Sequence, residues 1–149
     1  EVRCSARFQQ IGNVLHRPVG QALLGDVGNP ALAFRVGAAG ETLVAELKDG
    51  EISEYTLQPR EFGFETCDLE SLKVWDATQA KDMLLGVLDN LPGPARDIVQ
   101  LNAGAAIYVA GCAASLAEGI EAARKAIESG AAREKLRQLV EVSNRFKGA

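Results

Sequence analysis

The 149-residue sequence is poor in the side chains that usually form metal and redox sites. It contains one histidine, three cysteines and one tryptophan, and aromatic residues make up only 5% of it. Cys4, Cys67 and Cys112 are odd in number and far apart, and they form no Cys-x-x-Cys motif. We therefore expect neither a disulfide framework nor a zinc knuckle, and a reducing cytoplasm is the expected compartment.

The sequence also lacks an excess of basic charge and a long apolar run. Sixteen basic and twenty acidic side chains give a net charge of -4, which excludes the positive field that collects nucleic-acid phosphates. The longest apolar stretch, residues 103–114, is too short to span a bilayer. The first residue is glutamate rather than methionine and begins no secretory pattern, so we expect a processed or partial product.

What the sequence does contain is typical of a folded domain, with 47% hydrophobic and 24% charged residues. Residues 1–40 are predicted to be irregular because glycine and proline recur there, although residues 14–24 could form a short helix broken by Pro18. Residues 41–149 are predicted to form a partial α/β domain. It consists of one β-hairpin, at about 42–57, followed by a stack of four helices, at about 77–146.

The hairpin is the clearest local pattern. Asp49-Gly50 separates two strand-like segments, and this dipeptide supplies the positive φ angles of a type I′ turn. The resulting register places Lys48 opposite Glu51, and Leu47 opposite Ile52.

Four helices follow from capping residues and from the three- and four-residue spacing of apolar positions. Asp76-x-x-Gln79 and Ser115-x-x-Glu118 are start signals, Pro94 suits a first helical position, and Gly130 suits a helix end. The predicted helices extend from 77 to about 90, from 94 to about 111, from 116 to about 129 and from 133 to 146.

Few residues suggest chemistry. His16 has no serine, cysteine or carboxylate at a spacing typical of a triad or a metal site, so a structural or solvent-facing role is favoured. The glycines of residues 25–40 match no phosphate-binding motif and are better explained by turns. Acidic residues of the last two helices lie among basic ones, which indicates a solvated charged face rather than a metal site. These are Glu118, Glu121, Glu134 and Glu141.

Residues 93–111 are unusually rich in alanine and glycine for a helix, although each glycine there costs up to about 1 kcal/mol relative to alanine. The small side chains allow another element to approach closely. We favour tight helix packing, with Asn102 as a buried amide satisfied by a neighbour, over the alternative of ligand contact.

This same run carries a family resemblance. Three motifs occur in the family's order along the chain. They are the hairpin Val-Ala-Glu-Leu-x-Asp-Gly-Glu-Ile at 44–52, Pro-x-x-Phe-Gly at 59–63, and Gly-Pro-Ala-Arg-Asp-Ile-Val-Gln-Leu-Asn-Ala-Gly-Ala-Ala-Ile-Tyr at 93–108. Residues 40–146 are collinear with, and resemble, the C-terminal part of anthranilate phosphoribosyltransferase. A weaker similarity lies at 23–31.

The resemblance implies a pentosyltransferase of tryptophan biosynthesis. Family members transfer the phosphoribosyl group of phosphoribosyl diphosphate to anthranilate, and they are magnesium-dependent homodimers. Such chemistry requires donors for the diphosphate leaving group and oxygen ligands for the metal.

Several of those groups are not matched. The family's glycine-rich phosphate loop would precede the matched region, and its magnesium-binding Asp-Glu pair stands where this chain has Phe34-Arg35. Phenylalanine and arginine cannot ligate a hard cation, so the metal site is not carried over and no catalytic residue is assigned. Arg7 lies one position from the place of an anthranilate-contacting arginine and is the one substrate-binding candidate; the alternative is an exposed basic residue.

Three hypotheses result. The first is a partial anthranilate phosphoribosyltransferase that is inactive by itself. The second is a non-catalytic remnant acting as a packing or interaction module. The third, a pyrimidine nucleoside phosphorylase of the same general fold, is disfavoured because residues 101–108 resemble the anthranilate branch.

Overall fold

A four-stranded antiparallel sheet occupies the first part of the chain. The computed structural model describes residues 21–24, 31–35, 41–48 and 51–146, the first two strands by their backbone only. The strands lie side by side in chain order. They are β1 (Gln21–Leu24), β2 (Ala31–Arg35), β3 (Thr42–Lys48) and β4 (Glu51–Leu57).

The first two strands are not predicted from the sequence, which indicated an irregular segment over residues 1–40. The suggested helix over residues 14–24 is wrong where it can be compared, because Gln21–Leu24 is extended; its residues 14–20 lie outside the described part. β2 pairs with β3 from Ala31 opposite Leu47 to Arg35 opposite Leu43. Such strands form because a neighbouring strand offers a backbone ladder, which the propensity of the segment itself does not reveal.

The predicted hairpin is confirmed in its register. β3 and β4 pair with Lys48 opposite Glu51 and Leu47 opposite Ile52. The turn residues 49–50 lie outside the described part. The alternation of the strand places successive side chains on opposite faces of the sheet, and Val44 and Ala45 are both buried because both faces are covered at this point.

The four predicted helices are confirmed, with bounds close to those expected. They are α1 (Ala77–Leu88), α2 (Pro94–Val109), α3 (Leu116–Glu128) and α4 (Ala131–Arg145). Two short 3₁₀ helices that the sequence did not predict, Pro59–Phe62 and Leu69–Leu72, connect the sheet to α1.

The predicted caps explain where the helices begin and end. The Asp76 carboxylate accepts a hydrogen bond from the backbone N–H of Gln79 at 2.8 Å. The Ser115 hydroxyl accepts from the Glu118 amide at 3.2 Å, and the Glu118 carboxylate accepts from the backbone amide of Ala114 at 2.9 Å. Gly130 ends α3 with a φ of 74°, a left-handed conformation that favours glycine.

The core lies between β3 and α2. Val44 of β3 packs with Ala105, Tyr108 and Val109 of α2, all of them buried. Partly buried Tyr55, Leu57 and Leu116 close the edges of this cluster. The C-terminal half of α2 is thereby fixed on the hairpin.

Helices α2 and α3 cross in close backbone contact at two glycines. A Cβ atom built at Gly104 would lie 2.5 Å from Cγ1 and 2.7 Å from the backbone nitrogen of Ile120. One built at Gly119 would lie 2.2 Å from the carbonyl oxygen of Gly104. The favoured interpretation of the small residues in 93–111, tight helix packing, is therefore confirmed.

No helix in the described ranges has the length and apolar character needed to cross a membrane.

Candidate functional site

One carboxylate connects the hairpin to α2. The Tyr108 hydroxyl donates to Oε1 of Glu46 at 2.5 Å, and the Tyr55 hydroxyl donates to Oε2 at 3.0 Å. Nζ of Lys48 lies 3.5 Å from the Tyr108 oxygen and 5.8 Å from the centre of its ring. We call these four residues the Glu46 cluster.

The strand register explains three members of the Glu46 cluster. Glu46 and Lys48 are two residues apart in β3, so their side chains lie on the same face of the sheet. Glu46 is opposite Ser53, which makes Tyr55 its diagonal neighbour on β4. Tyr108 comes from α2, on the same side of the sheet, and is buried.

Burial, followed by the interaction with Glu46, raises the pKa of both phenols, so they stay protonated beyond neutral pH. Burial, with the nearby Glu46 carboxylate as a second cause, raises the pKa of Tyr55 well above its usual range. Burial also raises the pKa of Tyr108, and its hydrogen bond to Glu46 adds to the effect. Each phenol is therefore a hydrogen-bond donor at neutral pH, and both oxygens of Glu46 are occupied. This arrangement suits an anchor between the sheet and α2 better than a free general base.

A second junction holds the first 3₁₀ helix against α3. The Arg124 guanidinium lies 4.8 Å from the centre of the buried Phe64 ring. It also donates to the Phe62 carbonyl and pairs with Glu121. Arginine serves well here because its planar fork can stack on a ring and bind a carbonyl at the same time.

The two single-residue site candidates, Arg7 and His16, lie outside the described part of the chain. Phe34 and Arg35 form part of β2, where their Cα partners are Val44 and Leu43. Across the described residues, no group of three or more histidine, cysteine, aspartate or glutamate side chains could hold a metal ion.

The acidic residues of the last two helices form a solvated charged face, as predicted. Arg137 pairs with Glu134 at 2.7 Å, and Arg145 pairs with Glu141 at 3.0 Å. Asn102 is satisfied, but its amide donates to the Ile98 carbonyl of its own helix at 2.8 Å rather than to a neighbouring element, and it is only partly buried.

Sequence reasoning did not identify the Glu46 cluster. The predicted hairpin register already contained the Glu46–Tyr55 diagonal, and that signal was sufficient for this pair. The Tyr108 bond spans 62 residues of chain and depends on how α2 packs, for which the sequence offers no local signal.

Comparison with known proteins places the chain in a family. A family model described as the α/β domain of a glycosyl transferase family matches residues 35–133, which include β3, β4 and the first three helices. The chain belongs to this family.

The relatives are more specific than the family model. An anthranilate phosphoribosyltransferase of Thiobacillus denitrificans is 71% identical over 111 residues, which are 74% of this chain and 32% of the relative. One of Nitrosospira multiformis is 50% identical over 138 residues, covering 91% of this chain and 39% of the relative. The chain spans about a third of the length of the curated relatives it matches.

A solved structure gives the same result. The crystal structure of anthranilate phosphoribosyltransferase (TrpD) from Thermus thermophilus is 36% identical, with a TM-score of 0.62. The match covers 69% of this chain and 31% of that structure. The resemblance found from the sequence is therefore confirmed at the level of both sequence and fold.

Proposed function

We propose that the chain is one part of an anthranilate phosphoribosyltransferase, contributing scaffold to the enzyme, and that these 149 residues alone do not catalyse the reaction. The observation that carries the proposal is a match of 111 residues that are 71% identical to a relative. These 111 residues correspond to only 32% of that relative's length. A match so high and so partial supports shared ancestry with a larger enzyme.

The proposed reaction joins the amino nitrogen of anthranilate to C1 of the ribose of phosphoribosyl diphosphate. The bond from C1 to the diphosphate oxygen breaks, diphosphate leaves with its electron pair, and the nitrogen loses a proton. Negative charge grows on the leaving phosphates as C1 becomes cationic, so hydrogen-bond donors and cations must face them. The anchoring side chains described above, Glu46 and Arg124, are engaged in internal contacts and support the shape of the domain instead.

Magnesium would supply charge neutralisation at the diphosphate in a complete enzyme. Because the side chains of Phe34 and Arg35 carry no oxygen, we assign it no ligands in this chain. Arg7 remains a proposed contact for the anthranilate carboxylate, since a guanidinium can bind a carboxylate through two parallel hydrogen bonds.

The proposal includes the remaining properties expected from the family. The substrates are anthranilate and phosphoribosyl diphosphate, the complete enzyme is a homodimer, and the compartment is the cytoplasm. Nucleic acid and membranes are not proposed partners, in keeping with the net charge of -4.

The test is turnover by the purified 149-residue chain. Anthranilate fluorescence is followed with phosphoribosyl diphosphate and magnesium, and the full-length Thiobacillus denitrificans relative serves as the positive control. We expect loss of fluorescence with the relative and no loss above background with the chain. Turnover by the chain alone would refute the claim of inactivity.

A second candidate, an interaction module without catalysis, is favoured by the exposed apolar side chains of α4. Leu139 is 62% exposed and Phe146, next to the helix end, is 75% exposed. Surfaces of this kind recruit partners or cause aggregation. Light scattering separates the candidates, because a clean monomer with a cooperative melt argues against the interaction module.

A further inference from the structure

Helix α4 is the least buried helix of the described domain. None of its fifteen residues is buried, and only Ala132 and Leu136 are partly covered. Helices α1, α2 and α3 each contain at least one buried residue. Because α4 removes little apolar surface from water when it packs, burial contributes little to holding it in place.

The helix is stabilised largely by contacts of its own. Arg137 pairs with Glu134 and Glu141, and Glu141 also pairs with Arg145, at spacings of three or four residues. Pairs at these spacings stabilise an isolated helix. Helices shorter than about 12–15 residues are nevertheless marginal in water, and α4 has fifteen. A detached α4 would therefore lose part of its backbone hydrogen bonding.

An apolar groove and an ion pair join α4 to α1. Leu136 and Val140 line the groove together with Leu85 of α1. Arg133 pairs with Asp89, the residue that directly follows α1, so this ion pair crosses from one helix to the other. The two side chains are 48% and 45% exposed. Dissolved salt weakens an ion pair that is exposed to this degree.

Gly130 connects α4 to α3. Its φ of 74° is left-handed, and a Cβ atom built there would meet nothing within 4 Å, so the backbone at this position is unobstructed. Helix α3 itself is fixed by its close crossing with α2 at Gly104 and Gly119. The boundary between the firmly packed and the weakly held part of the described structure therefore lies at Gly130.

We infer that α4 is a hinged arm, which opens as one unit about Gly130 while the rest of the described domain stays folded. The ion pair between Arg133 and Asp89 holds the arm closed, so opening increases with ionic strength. Opening uncovers the groove between α4 and α1. The inference does not depend on the proposed function, because it rests on the contacts of α4 alone.

Hydrogen exchange of the 149-residue chain, resolved to single amides, tests the inference. The parent is compared with Arg133→Gln, with Asp89→Asn and with the variant that combines them. Lys135→Gln is the matched control. It removes the same charge as Arg133→Gln and lies two positions further along the helix, but the Lys135 amine donates to Gln138 within α4.

In the parent, the amides of α4 should share one level of protection, at least about tenfold below that of the amides in α2 and α3. Low concentrations of urea should change the exchange of α4 only slightly, because local opening exposes little surface. Exchange of α4 together with α2 and α3, in one global unfolding step, would overturn the inference. Protection that is kept at residues 134–137 and lost towards residue 145 would also overturn it, because such a gradient shows fraying rather than a hinge at Gly130.

The variants test the ion pair. Arg133→Gln and Asp89→Asn should each speed the exchange of α4 by about two- to fivefold, and their combination should add nothing further, because both remove the same pair. Lys135→Gln should not speed the exchange. Raising sodium chloride from about 20 to about 500 mM should speed exchange more in the parent than in the combined variant. Unchanged exchange in both single variants, or an equal effect of salt on parent and combined variant, would refute the role of the ion pair.

Discussion

The crossing of α2 and α3 at Gly104 and Gly119 allows a sharp stability prediction. An alanine in an unobstructed helix is more favourable than glycine by about 1 kcal/mol. At Gly119 the added methyl group would lie 2.2 Å from a backbone oxygen, which no rotamer change can relieve. The helices must separate, and overpacking of this kind costs about 1–3 kcal/mol. Gly119→Ala should therefore lower the free energy of unfolding despite its better helix propensity.

Gly86 in α1 is the matched control. A Cβ atom there meets only the end of the Leu91 side chain, at 3.4 Å, and that side chain can rotate away. Gly86→Ala should raise the free energy of unfolding by about 0.5–1 kcal/mol. Urea unfolding of the purified chain measures both variants and Gly104→Ala. The reasoning is refuted if Gly119→Ala is as stable as Gly86→Ala.

Further predictions concern single side chains. Tyr108→Phe removes a buried donor to Glu46 and should cost about 1–2 kcal/mol in urea unfolding, and an unchanged midpoint would contradict the anchoring role. Because the folded state raises the pKa of Tyr55 and Tyr108, their contribution to the free energy of unfolding should be fully present below the usual tyrosine pKa of about 10 and should be lost above it. Between about pH 9 and about pH 11, the free energy of unfolding of the Tyr55→Phe/Tyr108→Phe variant should therefore fall less than that of the parent. Thr42→Val should raise the free energy of unfolding by about 1 kcal/mol, because the buried Thr42 hydroxyl has no hydrogen-bond partner among the described residues. A thermal melt that shows a loss of stability would contradict this. Arg124→Lys keeps the positive charge but loses the planar guanidinium, and it should lower the free energy of unfolding by about 1 kcal/mol in the same melt. An unchanged stability would show that the charge alone suffices.

Local signals in the sequence determined most of the described fold. Asp76 and Ser115 act as helix caps as predicted, because capping depends only on residues three positions apart. The hairpin register follows from its two strands and the residues between them. The family resemblance, carried by collinear motifs, also proved correct.

The elements that were missed depend on residues outside their own sequence. β2 is a strand because β3, about ten residues further on, pairs with it, and its own sequence Ala-Leu-Ala-Phe-Arg carries no decisive pattern. Tyr108 joins Glu46 through the packing of α2, which no spacing reveals. Arg7 stays a prediction, because it lies outside the described residues.

The most direct test of the central claim is the rate at which this chain consumes anthranilate. With phosphoribosyl diphosphate and magnesium in excess, fluorescence should stay at the no-enzyme background while the Thiobacillus denitrificans relative depletes the substrate. Steady consumption of anthranilate by the 149-residue chain, with release of diphosphate, would contradict the account.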